Sequence, residues 1–320
     1  MKEKPLVVYP DADGNEEELY PEQFARIREV ANLKIYRGQP DSHEEYIQRI
    51  GDAQGVFLGW DLPGEVMRQA GKLEVISFTG IGVNKFVDME QARERNISVC
   101  NCPGYSDITV AEHTMALLLS LSRGVPGLDH DIRNGIWKSQ STAMELHGKQ
   151  IGLVGFGGIG QWFSGLCMAF GMNVLVWTRS MNSEYESRFG VQLCSLNEIY
   201  ENCPIISLHL SSNPQTEGII DHEAFNAMQP GTMLINTARA ELIVEDALIR
   251  ALQSGRLSAA ALDVFHQEPL PAGHPLTEMQ NVVLTPHIGY NTPEAVSRLY
   301  EIAAENIVSY FQGKPANTVS

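Results

Sequence analysis

Three side chains with complementary chemistry each follow a short apolar run in the second half of the chain. They are Arg239 after residues 232–236, Glu268 after residues 258–264, and His287 after residues 281–285. A guanidinium can bind a carboxylate through two parallel hydrogen bonds, and a histidine can donate a proton to a carbonyl oxygen. A neighbouring carboxylate favours the charged imidazole and orients its ring. These residues predict a catalytic set that holds a 2-oxo acid and protonates its carbonyl oxygen.

Each of the three also has a plain structural interpretation. Arg239 could form a surface ion pair, Glu268 could be a solvated loop acid, and His287 could be a histidine satisfied within the fold. Ligands of open α/β sheets bind beyond the carboxyl ends of the strands. Placement of all three residues at such ends therefore favours the catalytic interpretation.

A glycine-rich loop precedes these residues and has the spacing GxGxxG. It lies between an apolar run at residues 150–154 and a segment of helical character at residues 159–170. This order predicts a dinucleotide site, with the diphosphate at the helix N-terminus. The alternative is a glycine-rich turn without a ligand. The candidate cofactor-binding residues of the loop are Gly155, Phe156, Gly157, Gly158, Ile159 and Gly160.

The next apolar run, at residues 173–177, ends in Thr178, Arg179 and Ser180. A dinucleotide fold usually has an Asp or Glu here that binds the ribose 2′-hydroxyl. A carboxylate would repel a 2′-phosphate, whereas Arg179 can pair with one. The sequence therefore favours NADP(H) and leaves NAD(H) open, and a solvated Arg179 is the structural alternative.

Composition excludes several other classes of function. The formal net charge of −16 makes a nucleic acid or an anionic membrane an unfavourable partner. The five cysteines show no CxxC spacing, and the nine histidines include no HxxxH pair, so we expect free thiols in a reducing cytoplasm and no metal site. No apolar stretch is long enough for a signal-peptide core or a membrane span, which also favours a cytoplasmic protein.

Strand-like and helix-like segments alternate along the chain. The first series of apolar runs covers residues 6–9, 55–59, 75–78 and 97–100, with helical segments at 21–32 and 42–50. The second series covers residues 150–154, 173–177, 205–210, 232–236, 258–264 and 281–285. Uninterrupted apolar runs are typical of parallel strands that are covered by helices on both faces. The pattern predicts an α/β protein whose second series forms a doubly wound dinucleotide-type sheet.

Longer motifs show a resemblance to a known family. They include TGIGVNKFVD, NCPGYSDITVAEHTMALLLSLSR, GKQIGLVGFGGIG, INTARAELI, AALDVFHQEPL and LTPHIG, within roughly residues 50–310. The chain resembles the D-isomer-specific 2-hydroxyacid dehydrogenases, which include glyoxylate/hydroxypyruvate reductases and phosphoglycerate dehydrogenases. The resemblance implies that Arg239 holds the substrate carboxylate, that His287 is the acid/base and that Glu268 is its partner.

The resemblance implies further contacts and a domain order. Substrate would meet the backbone of Thr79, Gly80 and Ile81, and the remaining candidate cofactor residues are Thr237, Ala238, Asp263 and Gly289. A Rossmann-type cofactor domain at residues 103–289 would be inserted into a flavodoxin-like substrate domain formed by residues 1–102 and 290–320. The apolar helix from Val110 to Leu121, with the following residues 133–138, matches the family's dimer region.

Some positions depart from the family pattern: Thr178 replaces the usual Asp, and Gly158 stands where Arg or Lys is common. Ala240, Val244 and Ser211 stand where Gly, Asp and Pro are usual. The catalytic set is intact, so the expected function is NAD(P)H-dependent reduction of glyoxylate, hydroxypyruvate or a similar 2-oxo acid to the D-2-hydroxy acid. The alternatives are a phosphoglycerate dehydrogenase-like enzyme and a corepressor-like protein that senses dinucleotide.

Overall fold

The computed structural model describes residues 3–137 and 143–319. The chain divides into two compact units, one formed by Met1–Ser106 with Thr292–Ser320 and the other by Asp107–Asn291. The boundaries expected from the sequence, at 102/103 and 289/290, each lie a few residues before these. The first unit is therefore discontinuous in sequence, and the second is inserted into it.

The discontinuous unit contains a five-stranded parallel sheet in the order β2-β1-β3-β4-β5. The strands are β1 Leu6–Ala12, β2 Asn32–Arg37, β3 Gly55–Leu58, β4 Val75–Phe78 and β5 Ser98–Cys100. This is the flavodoxin-like order, as predicted. The edge strand β2 was not predicted, because its residues alternate between half-buried and exposed and do not form a continuous apolar run.

The inserted unit contains a seven-stranded parallel sheet in the order β12-β11-β10-β9-β6-β7-β8. The strands are β6 Gln150–Val154, β7 Asn173–Trp177, β8 Gln192–Leu193, β9 Ile205–Leu208, β10 Thr232–Asn236, β11 Leu257–Leu262 and β12 Val282–Leu284. The strand order reverses between β6 and β9, which marks the switch point of a Rossmann-type fold. The prediction of six strands missed β8, a two-residue strand at the sheet edge.

Three of the predicted runs of the second series extend past the strand ends that the structure shows. The runs are 205–210, 258–264 and 281–285, whereas β9, β11 and β12 end at Leu208, Leu262 and Leu284. The apolar or uncharged residues continue into loops at the carboxyl edge of the sheet. Those loops carry candidate site residues. Hydrophobicity alone therefore does not show where the hydrogen-bonded part of a strand ends.

Helices cover both faces of each sheet. They are α1 Glu16–Leu19, α2 Pro21–Val30, α3 His43–Ile50, α4 Gly64–Gln69, α5 Met89–Glu94, α6 Asp107–Arg123, α7 Val125–Arg133, α8 Gly158–Ala169, α9 Glu184–Phe189, α10 Leu196–Asn202, α11 His222–Ala227, α12 Glu245–Gln253, α13 Pro275–Glu278 and α14 Pro293–Phe311. Short 3₁₀ turns occupy Val83–Lys85 and Ala240–Leu242. Among the described residues no helix is both long and apolar enough to cross a bilayer.

The last helix belongs to the first sheet, although the whole inserted unit separates them in sequence. Ser77 Oγ on β4 donates to the Ala303 carbonyl at 2.9 Å, and Asn306 Nδ2 donates to the Asn101 carbonyl at 2.9 Å. The side chains of Ser77 and Asn306 are fully buried, so an unmade hydrogen bond at either would carry a desolvation cost. Helix α14 is thus an integral part of the discontinuous unit.

Candidate active site

The three predicted catalytic residues leave neighbouring strands of the inserted sheet. Arg239 follows β10, Glu268 follows β11 and His287 follows β12, and β10, β11 and β12 lie side by side. Parallel strands end at the same edge, so the sheet brings the three loops together.

His287 and Glu268 form a direct pair. The Nδ1 atom of His287 lies 2.8 Å from Glu268 Oε2, and the two side chains are 42% and 37% exposed. The other carboxylate oxygen, Oε1, accepts a hydrogen bond from the Phe265 N–H at 2.9 Å. An ionised Glu268 can only accept, so Nδ1 donates to it and Nε2 is the ring nitrogen left for a reacting group.

Asp263 holds the loop that carries His287. Its carboxylate is 2% exposed and accepts hydrogen bonds from the N–H groups of Ile288 and Gly289 at 3.0 and 2.9 Å. The Thr285 hydroxyl donates to the same carboxylate at 2.6 Å. Burial raises the pKa of Asp263, but hydrogen bonds from His113, Thr285 and the loop outweigh it, and the pKa lies below its ordinary value.

Arg239 is half-buried, and its charged guanidinium is available to bind an anion. Its Nη1 donates to the carbonyl of the preceding residue, Ala238, at 2.6 Å, and no described carboxylate forms an ion pair with it. The buried Asn236 shapes this turn: Oδ1 accepts from the Ala238 N–H at 3.0 Å, and Nδ2 donates to the Arg239 carbonyl at 2.8 Å. The ion-pair interpretation of Arg239 finds no support among these contacts.

Thr237 lies in the same turn with its side chain directed into the fold. Its hydroxyl is 2.8 Å from the Thr114 hydroxyl on α6, and Thr114 also donates to the Val110 carbonyl at 2.7 Å. The side chain of Thr237 is therefore committed to packing. Thr237 and Ala238 retain main-chain groups as the means of contacting a cofactor.

The glycine loop has the backbone geometry that a dinucleotide needs. Gly155 has φ +105°, and a Cβ there would lie 2.6 Å from the carbonyl of His209. A Cβ on Gly160 would lie 2.8 Å from the Gly155 carbonyl. Gly157 precedes α8 without a side-chain cap, and a Cβ on it would meet nothing within 4 Å. The open, uncapped helix N-terminus fits a diphosphate.

Phe156 and Ile159 have side chains that do not face this open space. Phe156 is 3% exposed, and its ring packs against Tyr185 and Phe189 at centroid distances of 5.2 and 5.3 Å. Ile159 is half-buried against the same core. Either residue could contact a cofactor only through its main chain.

Asp107 is a residue near the glycine loop that the sequence did not identify. It begins α6, and a Cβ placed on Gly158 would collide with its carboxylate. Burial raises the pKa of Asp107. Gly158 is therefore explained by the space that Asp107 takes, at the position where the family often has Arg or Lys.

The residues after β7 lie at the surface. Arg179 is exposed, and its Nη1 donates to Gln215 Oε1 at 3.0 Å, which leaves its charge without a carboxylate partner among the described residues. Thr178 is half-buried and Ser180 is exposed.

His209 is a second residue that the sequence did not identify. It follows β9, its Nε2 is 3.0 Å from Ser207 Oγ, and its Nδ1 has no hydrogen-bond partner among the described residues. Burial lowers the pKa of His209 to about 3, so the ring is neutral at physiological pH. Its main chain lies against Gly155, and it supports the glycine loop by packing.

The predicted substrate loop lies in the discontinuous unit, after β4. The N–H groups of Thr79 and Gly80 donate to the carbonyls of Leu58 and Phe78 at 2.8 and 2.9 Å. The Ile81 carbonyl accepts from Asn101 Nδ2 at 2.9 Å. The N–H groups of Thr79 and Gly80 are thus hydrogen-bonded within the unit, and contact of this loop with substrate stays a prediction.

No group of three or more His, Cys, Asp or Glu side chains in residues 3–137 and 143–319 is arranged to hold a metal ion. The five cysteines are free and buried.

Comparison with known proteins identifies the family. Residues 115–289 match the model for "D-isomer specific 2-hydroxyacid dehydrogenase, NAD binding domain". The chain is 36% identical over 94% of its length to D-3-phosphoglycerate dehydrogenase of Methanocaldococcus jannaschii, of which it spans 57%. It is 33% identical to glyoxylate reductase of Aeropyrum pernix, covering 95% of this chain and 94% of that one.

A solved structure of an acyclic imino acid reductase in complex with NADPH and D-Arg is 29% identical, with a TM-score of 0.85 over 98% of this chain and 100% of that one. The protein belongs to the D-isomer-specific 2-hydroxyacid dehydrogenase family. Its inserted unit is the nicotinamide dinucleotide-binding domain of that family.

Proposed function

We propose that the protein is an NAD(P)H-dependent reductase that converts a small 2-oxo acid, such as glyoxylate or hydroxypyruvate, into the D-2-hydroxy acid. The observation that carries this proposal is the 2.8 Å pair between His287 Nδ1 and Glu268, one strand away from the loop that carries Arg239. An oriented acid beside an available guanidinium is what reduction of an anionic carbonyl compound requires. The same arrangement serves oxidation in the reverse direction.

Arg239 would bind the substrate carboxylate and so fix the orientation of the carbonyl group. His287 would donate a proton from Nε2 to the carbonyl oxygen, because Nδ1 is held by Glu268. Glu268 would keep the ring oriented and stabilise its positive charge before transfer. A bound nicotinamide supplies the hydride for the carbonyl carbon. Asp263 would lie near the nicotinamide amide, as the family resemblance implies, and Gly289 stays a candidate cofactor contact.

The residues after β7 support NADP(H) over NAD(H) as the preferred cofactor. Arg179 is exposed and has no carboxylate partner among the described residues, and Thr178 stands where an acid would repel a 2′-phosphate. The neighbouring imino acid reductase was solved with NADPH. Arg179→Ala should raise KM for NADPH about tenfold or more, and leave KM for NADH within about twofold. Equal effects on the two cofactors would reject this preference.

The reaction is tested by turnover. Purified protein should oxidise NADPH or NADH with at least one member of a panel of glyoxylate, hydroxypyruvate, pyruvate and phosphohydroxypyruvate. His287→Ala should lower kcat about 10²- to 10⁴-fold and leave the dinucleotide Kd nearly unchanged. Absence of turnover with every compound, together with intact dinucleotide binding, would favour the corepressor-like alternative. Selective turnover of the phosphorylated compound would favour the phosphoglycerate dehydrogenase-like alternative.

We also propose that the protein acts on a small molecule as a homodimer. Four apolar side chains on and after α7 are well exposed, namely Val125, Ile132, Ile136 and Trp137. They adjoin the predicted dimer helix from Val110 to Leu121; Lys138, the end of the predicted segment, lies outside the described residues. An exposed apolar patch of this kind supports an interface. Sedimentation of the wild type and Trp137→Glu would test it, because the charge should shift the protein towards monomer.

A reducing cytoplasm is the proposed compartment. Five free, buried thiols support that placement, and the acidic chain favours neither nucleic acid nor membrane as a partner.

A further inference from the structure

His113 on α6 has no part in the predicted site, yet it contacts the segment that carries His287. Its Nε2 lies 3.1 Å from Thr285 Oγ1 and 3.5 Å from Asp263 Oδ1. A Cβ placed on Gly289 would be 3.2 Å from His113 Cδ2. The imidazole is 19% exposed. It packs against Thr285 and Gly289, which precede and follow His287 in the sequence, and it does not contact His287 itself.

The direction of these hydrogen bonds follows from the acceptor at their end. The Thr285 hydroxyl donates its single proton to Asp263 Oδ1 at 2.6 Å. The hydroxyl oxygen then has only lone pairs to offer to His113. His113 must consequently carry a proton on Nε2 and donate it, which gives a chain of donors from His113 through Thr285 to Asp263.

Asp263 also holds the backbone that follows His287. It accepts the N–H groups of Ile288 and Gly289 at 3.0 and 2.9 Å. His287 itself has φ +53°, a left-handed conformation that is unfavourable for a residue with a side chain and persists only when its surroundings enforce it. The contacts of Thr285, Ile288 and Gly289 are what enforce it here.

We propose that His113 is a positioning residue for His287. By donating to Thr285 and approaching Asp263 from α6, it fixes the ends of residues 285–289. It thereby keeps the Nδ1–H of His287 directed at Glu268 and Nε2 free for the carbonyl oxygen. The proposal rests on the acid role of His287 given above, but the geometry that it concerns exists without substrate.

The kinetic test compares two substitutions of His113. His113→Leu keeps the apolar bulk and removes the donor, whereas the amide of Gln can place an N–H close to the position of Nε2. His113→Leu should lower kcat about ten- to a hundredfold with KM for the 2-oxo acid little changed, since Arg239 is untouched. His113→Gln should remain within about threefold of the wild type, and so should Glu112→Gln, the exposed neighbour on α6.

A second measurement needs no turnover. In protein labelled with ¹⁵N-histidine and studied at alkaline pH, where an imidazole is neutral and its tautomer can be read, the ring signals of His287, assigned by their loss in His287→Gln, should show the Nδ1–H tautomer in the wild type and in His113→Gln. In His113→Leu they should move towards the Nε2–H tautomer, because the bond to Glu268 is no longer held. If the wild type turned over no 2-oxo acid, the proposed function would fail while these spectra still decided the positioning role.

Unchanged kcat and unchanged ring signals in His113→Leu would overturn the proposal. So would equal losses in His113→Leu and His113→Gln, since that result would indicate packing alone. Should His113→Leu not fold, Thr285→Val removes the middle of the donor chain and must show the same kinetic and spectral change.

Discussion

Asp11 in the discontinuous unit and Asp263 in the inserted unit occupy equivalent positions with opposite electrostatic outcomes. Both lie at carboxyl ends of parallel strands, are 1% and 2% exposed, and accept two consecutive backbone N–H groups from a neighbouring loop. Burial raises the pKa of Asp11, and nearby Asp61 adds to that rise against the hydrogen bonds from Gly59, Trp60 and Tyr46. For Asp263 the hydrogen bonds prevail over burial and the pKa is lowered.

The difference lies in the additional partners of each carboxylate. Asp11 accepts a hydrogen bond from the Tyr46 hydroxyl at 3.0 Å and lies near a second carboxylate, that of Asp61. Asp263 accepts a hydrogen bond from the Thr285 hydroxyl, and His113 Nε2 lies 3.5 Å from its Oδ1. The same way of tying a loop to a strand therefore goes with a lowered carboxyl pKa where a histidine and a hydroxyl accompany the carboxylate, and with a raised pKa where a hydroxyl and a second acid do. The charge of Asp263 lies next to the proposed acid, whereas Asp11 only fastens the Trp60 loop.

Between the two aspartates, the larger expected effect comes from removing the charge of Asp263, next to His287. Asp263→Asn should lower kcat/KM by about 10²-fold, because an amide cannot accept every donor that the carboxylate accepts and the loop around His287 loses its anchor. Steady-state kinetics with the preferred 2-oxo acid measures it. Asp11→Asn is the matched control and should stay within about threefold. Equal losses in both variants would abolish the distinction between the two aspartates.

A smaller effect is expected on the structural side of the comparison. Tyr46 donates to Asp11 and lies 2.6 Å from the Asp61 carbonyl. Tyr46→Phe should lower the free energy of unfolding by about 1–2 kcal/mol and leave kcat unchanged, as measured by denaturant titration and by turnover. A kcat loss of tenfold or more without a matching loss of stability would show that the Trp60 loop takes part in the reaction.

The sequence predicted the buried central strands and the residues that follow them. The predicted limits of β6, β7 and β10 agree with the structure, because these central strands are uninterrupted apolar runs covered on both faces. The prediction missed the edge strands because β2 is half-exposed and β8 has only two residues. Strand ends alone sufficed to place His287 near Glu268.

The contacts of the site that the sequence could not predict depend on distant elements. Asp107 reaches the glycine loop and His113 reaches Thr285 only because α6 packs beside α8 and the sheet, and no local spacing encodes that. Asn236 had a usable signal, a polar side chain ending a buried strand. Phe156 was assigned to the cofactor by its place in GxGxxG, although its side chain belongs to the core.

Asp107 provides a third carboxylate, which accepts no hydrogen bond from residues 3–137 or 143–319, and an effect of about fivefold is expected from it. Because its charge lies beside Gly158 at the N-terminus of α8, Asp107→Asn should tighten the NADPH Kd by about 1 kcal/mol through loss of repulsion with the diphosphate. Quenching of protein fluorescence measures this Kd without turnover. Glu112→Gln, one turn further along α6, should have no effect. Weaker binding by Asp107→Asn would mean that the carboxylate assists the cofactor.

The most direct test of the two aspartates is the pH dependence of stability. The pKa of Asp11 is raised in the folded state, so its contribution is present below the ordinary aspartate value of about 3.9 and is lost as pH rises through the raised value. The pKa of Asp263 is lowered, so its contribution is present above about 3.9 and is lost as pH falls through the lowered value.

Asp11→Asn should therefore gain stability relative to the wild type as pH rises above about 4, and Asp263→Asn should gain it as pH falls below about 4. A tenfold change in the acid constant on folding corresponds to about 1.4 kcal/mol. Thermal unfolding of the three proteins between pH 3 and 7 gives both slopes. Slopes of the same sign would show that the two buried carboxylates titrate alike. In that case His113 and Thr285 would not be what separates Asp263 from Asp11.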